Sequence, residues 1–179
     1  MTGRWILLLR GINVGASSRV AMADLRSLLL GLGYVDVVTL LQSGNVLVSS
    51  GARPEVAPIE AAIAATTGVS SRVVVLSVDE LRMLADSNPL ADAGDDLSKL
   101  VITFLGDDII PGEVDRPSDA DLEPERLVVT PRAIYQWCPS GILQSRLKPS
   151  WWRQFGPVAT TRNVRTVNRI LAAVPPVAE

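Results

Sequence analysis

The 179-residue chain carries a net charge of −2 at pH 7, a pI near 5.2, 47% hydrophobic residues and a mean hydropathy of +0.27. That length suits one ordinary domain or two small ones, the hydrophobic content excludes general disorder, and the mild acidity gives no overall pull toward nucleic acid. Histidine is absent and Cys138 is the sole cysteine, which excludes His-based triads, His general bases, His metal ligands and an internal disulfide.

Residues Arg4 to Leu9 read as a buried first strand, because Trp5-Ile6-Leu7-Leu8-Leu9 is continuously apolar. The strand runs into Arg10-Gly11-Ile12-Asn13-Val14-Gly15, where two glycines and an asparagine let backbone N–H groups converge. Met22, Leu25, Leu28, Leu29 and Leu32 then fall at helical spacing, and Gly31 and Gly33 stop that helix. Val35 to Leu41 and Val46 to Ser50 form a hairpin around Gln42-Ser43-Gly44-Asn45. A second helix begins near Pro54 and Pro58, carries Ile59, Ala62 and Ile63, and ends near Gly68; Arg72 to Leu76 is a fourth strand. Strand, helix, strand, strand, helix, strand is the ferredoxin-like split pattern.

Val78 to Ser87 predicts a short helix ended by Asn88-Pro89, and an acidic loop, Ala91 to Ser98, follows. The boundary between halves is set here: residues 1–87 and residues 88–179. Lys99 to Leu105 is the next strand, Pro111 to Glu125 is irregular with one helical turn, and Leu127 to Thr130 pairs with Ala133 to Cys138 around Pro131-Arg132. Ser145 to Phe155 predicts a helix interrupted or started by Pro149, and Val158 to Thr160 a brief strand. The same six-element order recurs without a residue-level repeat. The expected fold class is therefore α+β: two ferredoxin-like (βαββαβ) halves packed together, with an extra C-terminal helix.

That last helix is predicted from Arg162 to about Val174, with Thr160 or Thr161 as its N-cap. Val164, Val167, Ile170, Leu171 and Val174 share one face, while Arg165 and Arg169 point to solvent. Asn163 falls in the apolar sector, so its amide needs partners in another segment.

Charge is locally uneven. Asp79 to Glu125 holds 14 acidic residues against three basic ones, and Gln144 to Ile170 holds six basic residues and no acidic one. Such a bias fits a solvated surface as well as an anion site.

The split pattern makes the first and third strands antiparallel neighbours. Arg10 to Gly15 then lies beside Gln42 to Asn45, and this edge offers an arginine, amides, a hydroxyl and backbone donors suited to a phosphate, a carboxylate or a base edge. No short motif names a reaction. The glycine loop is too short for a dinucleotide fingerprint and lacks the Lys-Ser/Thr of a P-loop. Asp24, Asp36, Asp107 and Asp108 have no metal-ligand spacing, and Asp107-Asp108 reads as a solvated turn. Cys138 reads as a packed strand residue, and Trp151-Trp152 as packing rather than a base-stacking platform.

Leu8-Leu9-Arg10-Gly11-Ile12-Asn13-Val14-Gly15, Met22-Ala23-Asp24-Leu25-Arg26 and Gln42-Ser43-Gly44-Asn45-Val46 resemble the opening of the bacterial family called domain of unknown function 1697. Ser145-Arg146-Leu147 and Thr160-Thr161-Arg162-Asn163 resemble its closing motifs. Three departures stand out. Val164-Arg165 replaces the family's Trp-Asn, Arg146 replaces a lysine, and Arg19 replaces a lysine before the first helix. The resemblance implies two similar α/β halves and supplies no catalytic residues. It marks the first loop, the hairpin tip and the start of the last helix, which makes the glycine loop the expected partner of the Asn163 amide.

Together these readings give one composite ligand site of Arg10, Gly11, Asn13, Gly15, Arg19, Gln42, Ser43, Asn45, Ser145, Arg146, Thr161, Arg162 and Asn163. The expected ligand is anionic: phosphate, a nucleotide or RNA. An alternative is a His-free enzyme in the same cleft, with Ser43 or Thr161 as nucleophile or Arg162 as electrostatic stabiliser, although Asp24 is the nearest acid in sequence and no base is evident. A third is a structural or oligomeric partner. No cofactor and no metal are expected. The first apolar run lacks a signal-peptide pattern and no stretch reaches the ~18 apolar residues of a membrane span, so a cytoplasmic location is expected.

Overall fold

A computed structural model describes residues 2–15, 18–106 and 108–175. The chain divides into two compact units. The first comprises the chain up to Leu81 together with the chain from Ile170 onward, and the second is Arg82–Arg169.

The first unit follows the split pattern: β1 (Gly3–Arg10), α1 (Met22–Gly31), β2 (Val35–Leu40), β3 (Asn45–Ser50), α2 (Val56–Thr67) and β4 (Arg72–Ser77). All pairings are antiparallel in the order β2-β3-β1-β4. Alternation along the strands sends Leu7, Leu9, Val46, Val48, Val73 and Val75 to the face covered by the helices, where they meet Leu25 and Leu29 of α1 and Ile59 and Ile63 of α2. The four helical side chains are fully buried, each worth roughly 1.5–3 kcal/mol relative to exposure. Gly68 ends α2 in the left-handed region, its N–H donating to the Ala64 carbonyl at 2.9 Å.

A short helix, α3 (Val78–Asp86), precedes the second sheet. This sheet is built from β5 (Leu100–Leu105), β6 (Arg126–Val129), β7 (Ala133–Trp137) and β8 (Ala159–Asn163), in the order β6-β7-β5-β8, again antiparallel throughout. The strand order repeats that of the first sheet, so the chain is α+β with two ferredoxin-like sheets. The helices do not repeat as fully. Between β5 and β6 stand one 3-10 turn (Pro111–Glu113) and one turn of helix, α4 (Asp119–Leu122), which Ser118 caps by accepting from the Asp121 N–H.

The helix expected over Ser145–Phe155 is absent. Two 3-10 turns, Ile142–Gln144 and Trp151–Phe155, stand in its place. Pro149 is the local cause: it supplies no N–H for the Ser145 carbonyl and disfavours a helical Lys148. Ser145 Oγ accepts the Leu147 N–H at 3.1 Å and Glu125 Oε1 the Arg146 N–H at 2.6 Å, donors that a helix beginning at Ser145 leaves without a partner in any case. The side chains still form an apolar layer: Trp151, Trp152 and Phe155 pack on Leu105, Leu122, Leu127, Ile134 and Leu147.

The last helix, α5, spans Val164–Ala172, two residues later than its expected start. Arg162 and Asn163 instead pair with Ile102 and Val101 as the end of β8. Val167 and Ile170 are buried as the periodicity requires. Arg165, expected in solvent, reaches Asp96 at 3.2 Å in an exposed ion pair. No helix among the described residues is long and apolar enough to cross a membrane.

Candidate functional site

β1 ends at Arg10, and its register places Leu8 opposite Asn45 on β3 and Arg10 opposite Arg72 on β4. The glycine loop and the tip of the β2–β3 hairpin therefore stand side by side. Three contacts lock them. The Leu9 N–H donates to the Gly44 carbonyl at 2.8 Å. The Asn13 amine donates to the Gln42 carbonyl at 2.7 Å. Gly44, buried at φ 73°, lies under Ile12 so closely that a Cβ there would come within 2.7 Å of Ile12 Cδ1 and 2.8 Å of Leu9 Cβ. A glycine is required there by both conformation and space.

Asn13 is the hub of the loop. Its amine also donates to the Val20 carbonyl at 3.0 Å, and its carbonyl accepts from the Val20 N–H at 2.9 Å. Both ends of the amide are thus used inside the protein, and Asn13 shapes the loop rather than facing solvent with its amide. It does so at φ 55°, a conformation asparagine tolerates better than most residues. Gly11 and Gly15 also take positive φ, 76° and 79°, and border open space.

The loop spends more of its donors than the sequence suggests. The Asn13 N–H goes to the Ser18 carbonyl at 2.6 Å and the Val14 N–H to Ser18 Oγ at 3.0 Å. Ser18 had no mark in the sequence, nor had Ser71, whose buried hydroxyl donates to the Arg10 carbonyl at 2.8 Å. Asn45 is fully buried, its amine donating to the Leu40 carbonyl and to Ser43 Oγ, both at 3.0 Å, so it fixes the hairpin tip. The exposed groups are Arg10, Arg19, Gln42 and Ser43.

The remaining marked residues belong to the second unit and have partners there. Adjacent residues on β8 point to opposite faces, so Arg162 does not share a face with Thr161 and Asn163. Thr161 Oγ1 meets Thr103 Oγ1 at 2.7 Å on the paired strand, a hydroxyl that offers no general base. Asn163 Oδ1 accepts the Thr166 N–H at 2.8 Å, which makes it the N-cap of α5. This corrects the expected cap at Thr160 or Thr161: the Asn163 side-chain oxygen serves the first turn of its own helix. Arg162 is buried and donates to Thr160 Oγ1 and the Thr161 carbonyl, each at 2.9 Å. Burial lowers its pKa from 12.5 to about 10, so it stays a cation at neutral pH. A second basic side chain, Arg132, is partly withdrawn from solvent and meets Asp108 at 3.0 Å. Asp108 is itself exposed, as expected, and makes this pair at the surface; Asp107 lies outside the described residues.

Ser145 joins a buried network that the sequence did not reveal. Glu125 Oε2 accepts from Gln136 Nε2 at 2.7 Å and from Ser145 Oγ at 2.8 Å, while its Oε1 accepts the Arg146 N–H. A glutamine inside the apolar strand Ile134-Tyr135-Gln136-Trp137 was the available signal, because a buried amide needs a partner. Cys138 lies buried nearby, and desolvation, with a smaller effect of the Glu125 charge, raises its thiol from 9.0 to about 12. Among the described residues no group of three or more Cys, Asp or Glu side chains is arranged to hold a metal.

A family described as "Protein of unknown function (DUF1697)" matches residues 1–135, three-quarters of the chain. The chain belongs to the DUF1697 family. Its fold is shared with a solved structure, that of the conserved bacterial protein SP0830 from Streptococcus pneumoniae, at a TM-score of 0.70 and 23% sequence identity, over 96% of this chain and 98% of that one. No curated protein matches the chain. Within DUF1697 the present chain thus has a known architecture, and the chemistry of its loops has to be read from the loops themselves.

Proposed function

We propose that this DUF1697 protein binds an anionic ligand, a phosphate, nucleotide or RNA backbone, at the sheet edge formed by Arg10–Gly15 and Gln42–Asn45. The carrying observation is the Asn13 clamp, which ties the loop to both Val20 and Gln42. Arg10 precedes the clamp and Arg19 adjoins its Val20 end, and both side chains are exposed. Ligand charge is met by these guanidinium groups, with the Gln42 amide and Ser43 hydroxyl as neutral contacts. Asn13, Asn45 and Gly44 act indirectly by fixing the loops, which lowers the ordering cost of binding.

The test is a thermal-shift panel of inorganic phosphate, nucleotides and short RNAs at millimolar concentration. A ligand at ten times its Kd adds about 1.4 kcal/mol to stability, a shift of roughly 3–6 °C for a chain of this size. Arg10→Ala and Arg19→Ala are expected to remove the shift with little change in the ligand-free Tm. No wild-type shift, or a shift that survives both changes, refutes the reading.

A further inference from the structure

The second unit has its own cavity, of about 540 Å³, within the range that holds small organic ligands. Arg146 and Lys148 line it together with Asp115 and Asp121, and Trp151 and Leu122 supply apolar wall. Two cations and two carboxylates thus face one space, yet among the described residues none of the four closes an ion pair. Opposite charges within reach of each other would pair; held apart, they leave a field across the cavity that suits a ligand carrying both signs.

The walls are held from behind. The Arg146 N–H is fixed on the buried Glu125 carboxylate at 2.6 Å. Asp121 Oδ2 accepts from Ser118 Oγ at 2.6 Å. Asp115 is tied twice to the Trp151 segment: its carbonyl accepts from the Trp151 indole N–H, and its N–H donates to Gln154 Oε1 at 3.0 Å. Trp151 is itself set edge-on against Trp152 and Phe155, with ring centroids 4.8 Å away in each case. Arg146, Asp115 and Asp121 therefore project from anchored positions, which favours a defined ligand over a diffuse surface charge.

We propose that this cavity binds a small zwitterion. Its carboxylate or phosphate sits on Arg146 and Lys148, its ammonium on Asp115 and Asp121, and its carbon skeleton against Trp151 and Leu122. The cavity is lined by residues of the second unit and the anion edge is formed by residues of the first, and neither reading depends on the other.

The experiment is ¹H–¹⁵N correlation NMR on the full chain, following the indole N–H of Trp151, assigned by loss of its peak in Trp151→Phe. The probes are three zwitterions of increasing charge separation, glycine, O-phosphoethanolamine and 6-aminohexanoate, with inorganic phosphate, acetate and ethylammonium as single-charge controls. At least one zwitterion is expected to move the Trp151 peak saturably, and each single-charge control to bind at least about tenfold more weakly, since losing one charge-assisted contact costs on that scale. Lys148→Ala and Asp121→Asn should each weaken the zwitterion by a similar factor, whereas Arg10→Ala should leave it unchanged. The proposal is overturned if none of the three zwitterions moves the peak, if phosphate or acetate alone binds as tightly, or if both cavity variants bind like wild type. All the substituted cavity charges are exposed, so loss of fold does not confound the result.

Discussion

The Asn13 side chain donates to the main-chain carbonyl of Gln42 at 2.7 Å, across 29 residues of sequence. That bond, with the two to Val20, makes one amide responsible for the shape of the candidate site. Asn13→Ala loses all three bonds and places a less tolerant residue at φ 55°. A destabilisation of about 1–3 kcal/mol is expected, read by denaturant melts, with faster hydrogen exchange at Val20. Asn13→Gly should cost less, because it keeps the backbone conformation while losing the same bonds.

Gly44 tests the packing between the same two loops. Gly44→Ala drives a methyl into Ile12 and Leu9 and strains a positive φ, for an expected loss of roughly 1–3 kcal/mol or more. Ile12→Val removes part of the obstruction. In a double-mutant cycle the pair is expected to lose less stability than the sum of the single changes. Strict additivity would show that the loops do not pack as described.

The end of β8 tests the correction to Asn163. As an N-cap, Asn163→Ala is expected to cost about 0.5–2 kcal/mol, and Asn163→Asp or Asn163→Ser to restore most of it. A binding residue would show a different order, with Asp behaving unlike Ser toward an anion while Tm stayed level.

These cases show what was legible in the sequence and what was not. Strand order and the meeting of the two loops followed from periodicity and the antiparallel logic of the split pattern, because each strand and helix is written in residues close in the chain and the pattern then sets which strands pair. The segment over Ser145–Phe155 did not. Leu147, Trp151 and Phe155 recur at helical spacing, but Pro149 denies the Ser145 carbonyl its N–H, and Trp151 and Phe155 lie in a 3-10 turn instead. The start of α5 was not legible either, because Arg162 and Asn163 are held by the β5 ladder, about 60 residues earlier in the chain. At the site, Arg10 and Arg19 were legible as exposed charge. The inward use of the Asn13 and Asn45 amides was not, because hydrogen-bond direction is absent from spacing.

Cys138 gives a pH dependence of definite sign. The folded thiol ionises near 12 and the unfolded one near 9, so the folded state holds its proton more tightly. Its contribution is complete below pH 9 and is lost as pH rises from 9 toward 12, at a limit of about 1.4 kcal/mol per pH unit. Denaturant melts across this range should fall less steeply in Cys138→Ala than in wild type. At pH 8 a thiol reagent should leave the native protein untouched and label it once unfolded; equal slopes and rapid native labelling would contradict the buried assignment.

The central claim is that the glycine-loop edge receives an anion, and its most direct measurement is ¹H–¹⁵N chemical-shift mapping with inorganic phosphate and, separately, a short RNA. The account predicts saturable shifts at the amides of Gly11, Gly15 and Ser43 and at the Gln42 side chain with at least one of the two, abolished in Arg10→Ala. Saturable shifts centred elsewhere, or none at these positions with either probe, would contradict it.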